Sequence, residues 1–102
     1  MVAVIEDKRE AIAALCRKYG VVQLYIFGSA LRADFRPEDS DVDLLVEFGS
    51  MDGHEKAHAY FDLLDELRAL LGVDVDLVMT GAVKNPYIAR DIERSRQVLF
   101  AA

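Results

Sequence analysis

The run Phe27-Gly28-Ser29-Ala30-Leu31-Arg32, followed after a polar stretch by Ser40-Asp41-Val42-Asp43-Leu44-Leu45-Val46-Glu47, decides how this chain is read. A glycine-serine turn ends one apolar run, and a D-x-D opens the next. Side chains alternate across a strand, so Asp41 and Asp43 point the same way. Adjacent carboxylates repel each other, and a hard divalent cation between them relieves the repulsion. A small turn with free N–H groups nearby can hold a phosphate. Turn, metal and phosphate together point to nucleotide chemistry.

Working outward, residues 21–27 are β-branched, apolar or aromatic apart from Gln23, which predicts a buried strand. Residues 41–48 predict a second strand. One face carries Asp41, Asp43, Leu45 and Glu47; the other carries Val42, Leu44, Val46 and Phe48, which suits a core. Residues 73–79 predict a third strand, with Val73, Val75, Leu77 and Met79 opposite Asp74, Asp76 and Val78. Helical spacing of Ile5, Ile12, Leu15, Cys16 and Tyr19 predicts a helix over 4–18, stopped by Gly20. Between Gly28-Ser29 and Ala33 a short helical piece is expected. A second helix over 54–71 is expected to bury Ala57, Phe61, Leu64, Leu67 and Leu71 and to end at Gly72. Asn85-Pro86 reads as an N-cap and first helical residue of a helix to Arg94, with a last strand over 97–100. This alternation predicts one α/β (α+β) domain over 1–102, a small mixed sheet with helices on one face.

Composition narrows the function. The chain has 102 residues, 53% of them hydrophobic, and a formal net charge of −6. One compact core fits that size, with no room for a separate substrate domain. The negative balance argues against direct nucleic-acid or membrane binding. Cys16 stands alone, which fits a reducing cytoplasm, and no signal-peptide pattern opens the chain.

Asp41 and Asp43 share one strand face, and Asp74 and Asp76 share another. If the strands are neighbours, four carboxylates converge, and such clustering is destabilising without a compensating cation. Two or three carboxylates around Mg²⁺ suit phosphoryl or nucleotidyl transfer: two hold the metal, and a third holds a second metal or takes the proton from an attacking hydroxyl. Ser29 and the turn N–H groups would hold phosphates, and Arg32 would offset their charge. Position alone does not choose between Asp74 and Asp76.

The run F-G-S-x-x-R, the polar loop and S-D-V-D-L-L-V-E, with V-D-L-V at 75–78, resemble the minimal nucleotidyltransferase (MNT) family of the polymerase-β-like superfamily. The resemblance spans the first helix to Asn85-Pro86-Tyr87. Eleven residues separate Ser29 from Asp41, one more than the commonest family form. Ala33 and Ala30 also stand where many relatives carry glycine and arginine. The resemblance places the third carboxylate at Asp76. It implies a nucleotidyltransferase fold, metal ligands Asp41, Asp43 and Asp76, and phosphate contacts from Gly28, Ser29 and Arg32. It further implies Mg²⁺- or Mn²⁺-dependent transfer of AMP from ATP to an acceptor hydroxyl. Short members of this kind are often antitoxins that adenylylate a tyrosine of a helical HEPN-type RNase toxin encoded beside them. The alternatives are an antitoxin acting by stoichiometric contact and a small-molecule enzyme of the aminoglycoside-modifying kind. One small sheet supplies one wall of a cleft, so a homo-oligomer or a hetero-oligomer with that toxin is expected.

Other signals read more plainly. His54-Glu55-Lys56-Ala57-His58 spells the H-E-x-x-H zinc motif, but at the first turn of a helix it reads as a solvated helix start. Cys16 reads as core rather than nucleophile. Lys84, Arg90, Arg94 and Arg96 interleave with Asp91 and Glu93, the pattern of a solvated helix, with a phosphate or partner contact as the alternative.

Overall fold

The computed structural model describes residues 3–28 and 41–102, with side chains from Ile5 onward. Two short helices open the chain, α1 (Ala3–Asp7) and α2 (Arg9–Lys18). The single helix expected over 4–18 is therefore broken, at Lys8. There the Lys8 N–H donates to the Ile5 carbonyl and the Ile12 N–H to the Lys8 carbonyl, and both Ile5 and Ile12 end fully buried.

Strands β1 (Val21–Phe27) and β2 (Val42–Phe48) follow, then helix α3 (Gly53–Leu71), strand β3 (Val75–Met79), helix α4 (Pro86–Ser95) and strand β4 (Gln97–Ala101). The sheet order is β3-β2-β1-β4. β1 runs antiparallel to β2 and β4, while β2 and β3 are parallel. The mixed sheet is thus as expected.

Its helix-covered face is made by the alternation predicted for the strands. Leu24, Ile26, Val42, Leu44, Val46, Val75 and Leu77 point into the main core, where Ile12, Cys16, Leu63 and Leu67 meet them. Helix α3 sits about its axis differently from the expected stripe. Leu63, Leu67 and Leu71 are buried, Tyr60 and Leu64 pack at their flanks, and Phe61 is 61% exposed. Ala57 also faces outward. At about 100° per residue, Tyr60 lies within roughly 20° of Leu67 and Phe61 about 120° away. The helix is closed at both ends as its sequence indicates: Asp52 accepts from the Glu55 N–H at 2.8 Å, and Gly72 takes a left-handed φ of 68°. Lys18 pairs with Glu66 at 3.2 Å, and the Tyr19 hydroxyl donates to the same carboxylate, tying α2 to α3.

Helix α4 begins as read from Asn85-Pro86: the Asn85 side chain accepts from the N–H groups of Tyr87 and Ile88. Its one buried residue, Ile92, packs with Tyr25 and Leu45, the strand residues pointing away from the main core. So α1, α2 and α3 cover one face, but the expectation of helices on one face alone does not hold for α4: burial of Ile92 against Tyr25 and Leu45 returns it over part of the opposite face, which also carries the acidic residues.

Candidate active site

The strand register builds the site. Phe27 pairs with Asp43 across β1 and β2, and Asp43 pairs with Asp76 across β2 and β3. The end of β1, Asp43 and Asp76 therefore form one row across the sheet, on the face away from the main core. Neighbouring strands lie about 4.8 Å apart, so the two carboxylates are side by side. Asp43 is half-buried and Asp76 exposed. Like charges in such a pair repel.

Asp41 and Asp74 each stand one residue before their strands. The Val42 N–H donates to the Asp74 carbonyl at 2.9 Å, which holds these two chain segments together. Asp41 thus enters beside Asp74, and Asp43 beside Asp76. Among the described residues, no three histidine, cysteine, aspartate or glutamate side chains stand close enough to hold a metal ion. The register brings Asp43 and Asp76 together; it does not gather Asp41 with them into a closed cage.

Gly28 is bound to this row by two constraints. Its φ is +72°, a left-handed value that side chains disfavour, and a Cβ built there would overlap Oδ2 of Asp43. The turn after β1 therefore brings bare backbone against the central carboxylate. Ser29 and Arg32, the other expected phosphate contacts, lie outside the described residues.

The carboxylate donors suit a hard divalent cation, which takes oxygen ligands. Asp43 and Asp76 are the pair best placed by register to offer them, with Asp41 at the entrance to β2.

The fold brings onto this face one residue that the sequence placed only in a solvated basic stretch, with a phosphate or partner contact as the alternative. Arg96, half-buried at the C-cap of α4, lays its guanidinium 4.3 Å from the centroid of the Tyr25 ring. Tyr25 pairs with Leu45, one same-face step from the Phe27–Asp43 pair. The alternation of β1 assigns Tyr25 to this face, but only the return of α4 brings Arg96 onto it. His54 and His58 start α3, both exposed, with ring centroids 4.6 Å apart in an edge-on contact. Burial pushes the Cys16 thiol up to about 12, in keeping with a core residue.

A family model for the nucleotidyltransferase domain matches residues 8–99. The chain belongs to that family. It is 48% identical over 79 residues to MJ0128 of Methanocaldococcus jannaschii, provisionally named a protein adenylyltransferase; the match covers 78% of this chain and 76% of that one. It is 41% identical over 71 residues to the protein adenylyltransferase MntA of Thermococcus cleftensis, covering 70% and 68%. A solved structure provisionally described as a minimal nucleotidyltransferase superposes with a TM-score of 0.74 at 35% identity, over 90% of this chain and 89% of that one. The same fold recurs, at 22% identity and a TM-score of 0.66, in the structure of a tri-AMPylated Shewanella oneidensis HEPN toxin in complex with MNT antitoxin. There the match covers 96% of this chain and 73% of that one.

In this minimal nucleotidyltransferase Asp43 and Asp76 are each the second residue of their strands, β2 and β3. Among the described residues, no helix is long and apolar enough to cross a membrane.

Proposed function

We propose that this minimal nucleotidyltransferase transfers AMP from ATP to a tyrosine hydroxyl on a helical HEPN-type toxin and thereby neutralises it. The observation that carries the reading is the row of Gly28, Asp43 and Asp76 across the sheet, in a chain 41% identical to a protein adenylyltransferase. The tri-AMPylated toxin bound to an antitoxin of the same fold supports the choice of acceptor.

In this reading Asp41 would be drawn in beside Asp43 and Asp76 around Mg²⁺ or Mn²⁺, which when bound would neutralise triphosphate charge and favour departure of pyrophosphate. Gly28, Ser29 and Arg32 hold the phosphates: the turn offers backbone N–H groups and the guanidinium offers paired donors. The acceptor oxygen attacks the α-phosphorus in line as the bond to the pyrophosphate oxygen breaks. The hydroxyl proton passes to a carboxylate, for which Asp76 on the exposed edge strand β3 is the candidate. The partner supplies the wall that the open sheet face lacks, in a hetero-oligomer.

Growth of cells expressing the toxin from the neighbouring gene tests this. Co-expression of the wild-type chain restores growth. The Asp41→Asn/Asp43→Asn double variant does not, although it is still made and still folded. Restoration by the double variant would show that contact alone neutralises the toxin.

A further inference from the structure

The face that carries Asp43 and Asp76 also carries a cleft with no role in the reading so far. It encloses about 310 Å³ between α4 and the sheet and is lined by Leu45, Thr80, Gly81, Val83, Ala89, Ile92, Glu93 and Arg96. That volume is at the lower end for small-molecule sites, enough for one planar ring system with its sugar. Its floor is apolar, from Leu45 of β2, Val83, Ala89 and Ile92. Its polar groups are few and of complementary kinds. Glu93 only accepts hydrogen bonds, Arg96 only donates, and the Thr80 hydroxyl does either. Ala89, Glu93 and Arg96 are spaced four and three apart, so one stripe of α4 presents them together.

We propose that this cleft receives the nucleobase of the nucleotide, with Glu93 and Arg96 as its polar contacts; the inference rests on the nucleotidyl-transfer reading above. Three features argue for this occupant. The first is reach. Leu45 lies two residues beyond Asp43 on the same face of β2, about 6.6 Å along the strand. A nucleotide with its phosphates at Asp43 spans that interval and sets its base on Leu45. The second is chemistry. An amino-bearing base offers an N–H for Glu93 and a ring nitrogen for Arg96, and its flat faces suit the apolar floor. The third is preorganisation. Arg96 is held on the Tyr25 ring, and among the described residues it forms no ion pair, so its donors need not leave a carboxylate to meet a ligand.

Calorimetric titration of the full chain in Mg²⁺ tests the assignment, with a non-hydrolysable ATP analogue and inorganic tripolyphosphate as separate probes. The wild type is expected to bind the nucleotide at least tenfold more tightly than tripolyphosphate. Ala89→Phe, which fills the cleft, is expected to weaken nucleotide binding at least tenfold and to leave tripolyphosphate binding within twofold. Glu93→Ala, on the exposed surface where folding is not at stake, is expected to weaken nucleotide binding several-fold, again sparing tripolyphosphate. Wild-type nucleotide affinity in Glu93→Ala and in a folded Ala89→Phe would overturn the base site while leaving nucleotidyl transfer standing. Failure of the wild type to bind either probe would overturn both readings.

Discussion

At Gly28 backbone conformation and chemistry meet in one residue. Its left-handed φ and its contact with Asp43 both exclude a side chain. Gly28→Ala is expected to cost about 1–2 kcal/mol from backbone conformation alone, read as a lower urea midpoint. Relief of the overlap displaces the Asp43 carboxylate, so AMP transfer is expected to fall further than stability explains, by at least a hundredfold. Full activity in Gly28→Ala would show that the turn has no part in the site. Cys16 makes a second test at this scale. It is fully buried and its thiol is pushed up to about 12, so a disulfide reagent at pH 8 is expected to label it only as the chain unfolds. Rapid labelling of the native protein would contradict its place in the core.

At the scale of elements, the strands were legible and one helix face was not. Period-two alternation has two settings, and acids on one side of 41–48 leave Val42, Leu44 and Val46 for the core, where the structure puts them. Asn85-Pro86 and Gly72 announce helix ends by local chemistry, which needs no tertiary context. In α3, however, Leu63, Leu64, Leu67, Leu70 and Leu71 supply two overlapping stripes that share Leu67 and Leu71. Sequence spacing cannot choose between them; the packing of α2 and the sheet does. Leu67→Ala is therefore expected to cost about 2–5 kcal/mol, whereas Phe61→Ala is expected to stay within about 0.5 kcal/mol, both from urea unfolding. The link between α2 and α3 predicts a pH effect. The Tyr19 hydroxyl and the Lys18 ammonium hold the Glu66 carboxyl below its ordinary value of 4.5. Its stabilising contribution is therefore present above pH 4.5 and lost as pH falls through the lowered value. Glu66→Gln is expected to lose less Tm than the wild type between pH 6 and pH 3; an unchanged acid slope would show that the contact contributes nothing.

Across the whole molecule, the sheet divides two tasks between its faces. One is closed by α1, α2 and α3 around the main core. The other carries Asp43 and Asp76, a small cluster of Tyr25, Leu45 and Ile92, and the cleft beneath α4. The division was partly legible: D-x-D and V-D-L-V place acids opposite core residues, and adjacency of their strands is all that convergence requires. The path of α4 was not, because its single buried Ile92 acquires meaning only from Tyr25 and Leu45, distant in sequence. Ser29 and Arg32 lie outside the described residues, so the phosphate grip still rests on sequence resemblance and on the turn at Gly28. The most direct measurement is intact mass. The chain is incubated with Mg²⁺, ATP and the product of its neighbouring gene, beside the Asp41→Asn/Asp43→Asn variant. The account predicts one or more AMP units on the partner with the wild type and none with the variant. A stable complex without any mass gain would contradict it and leave a protein that neutralises by contact.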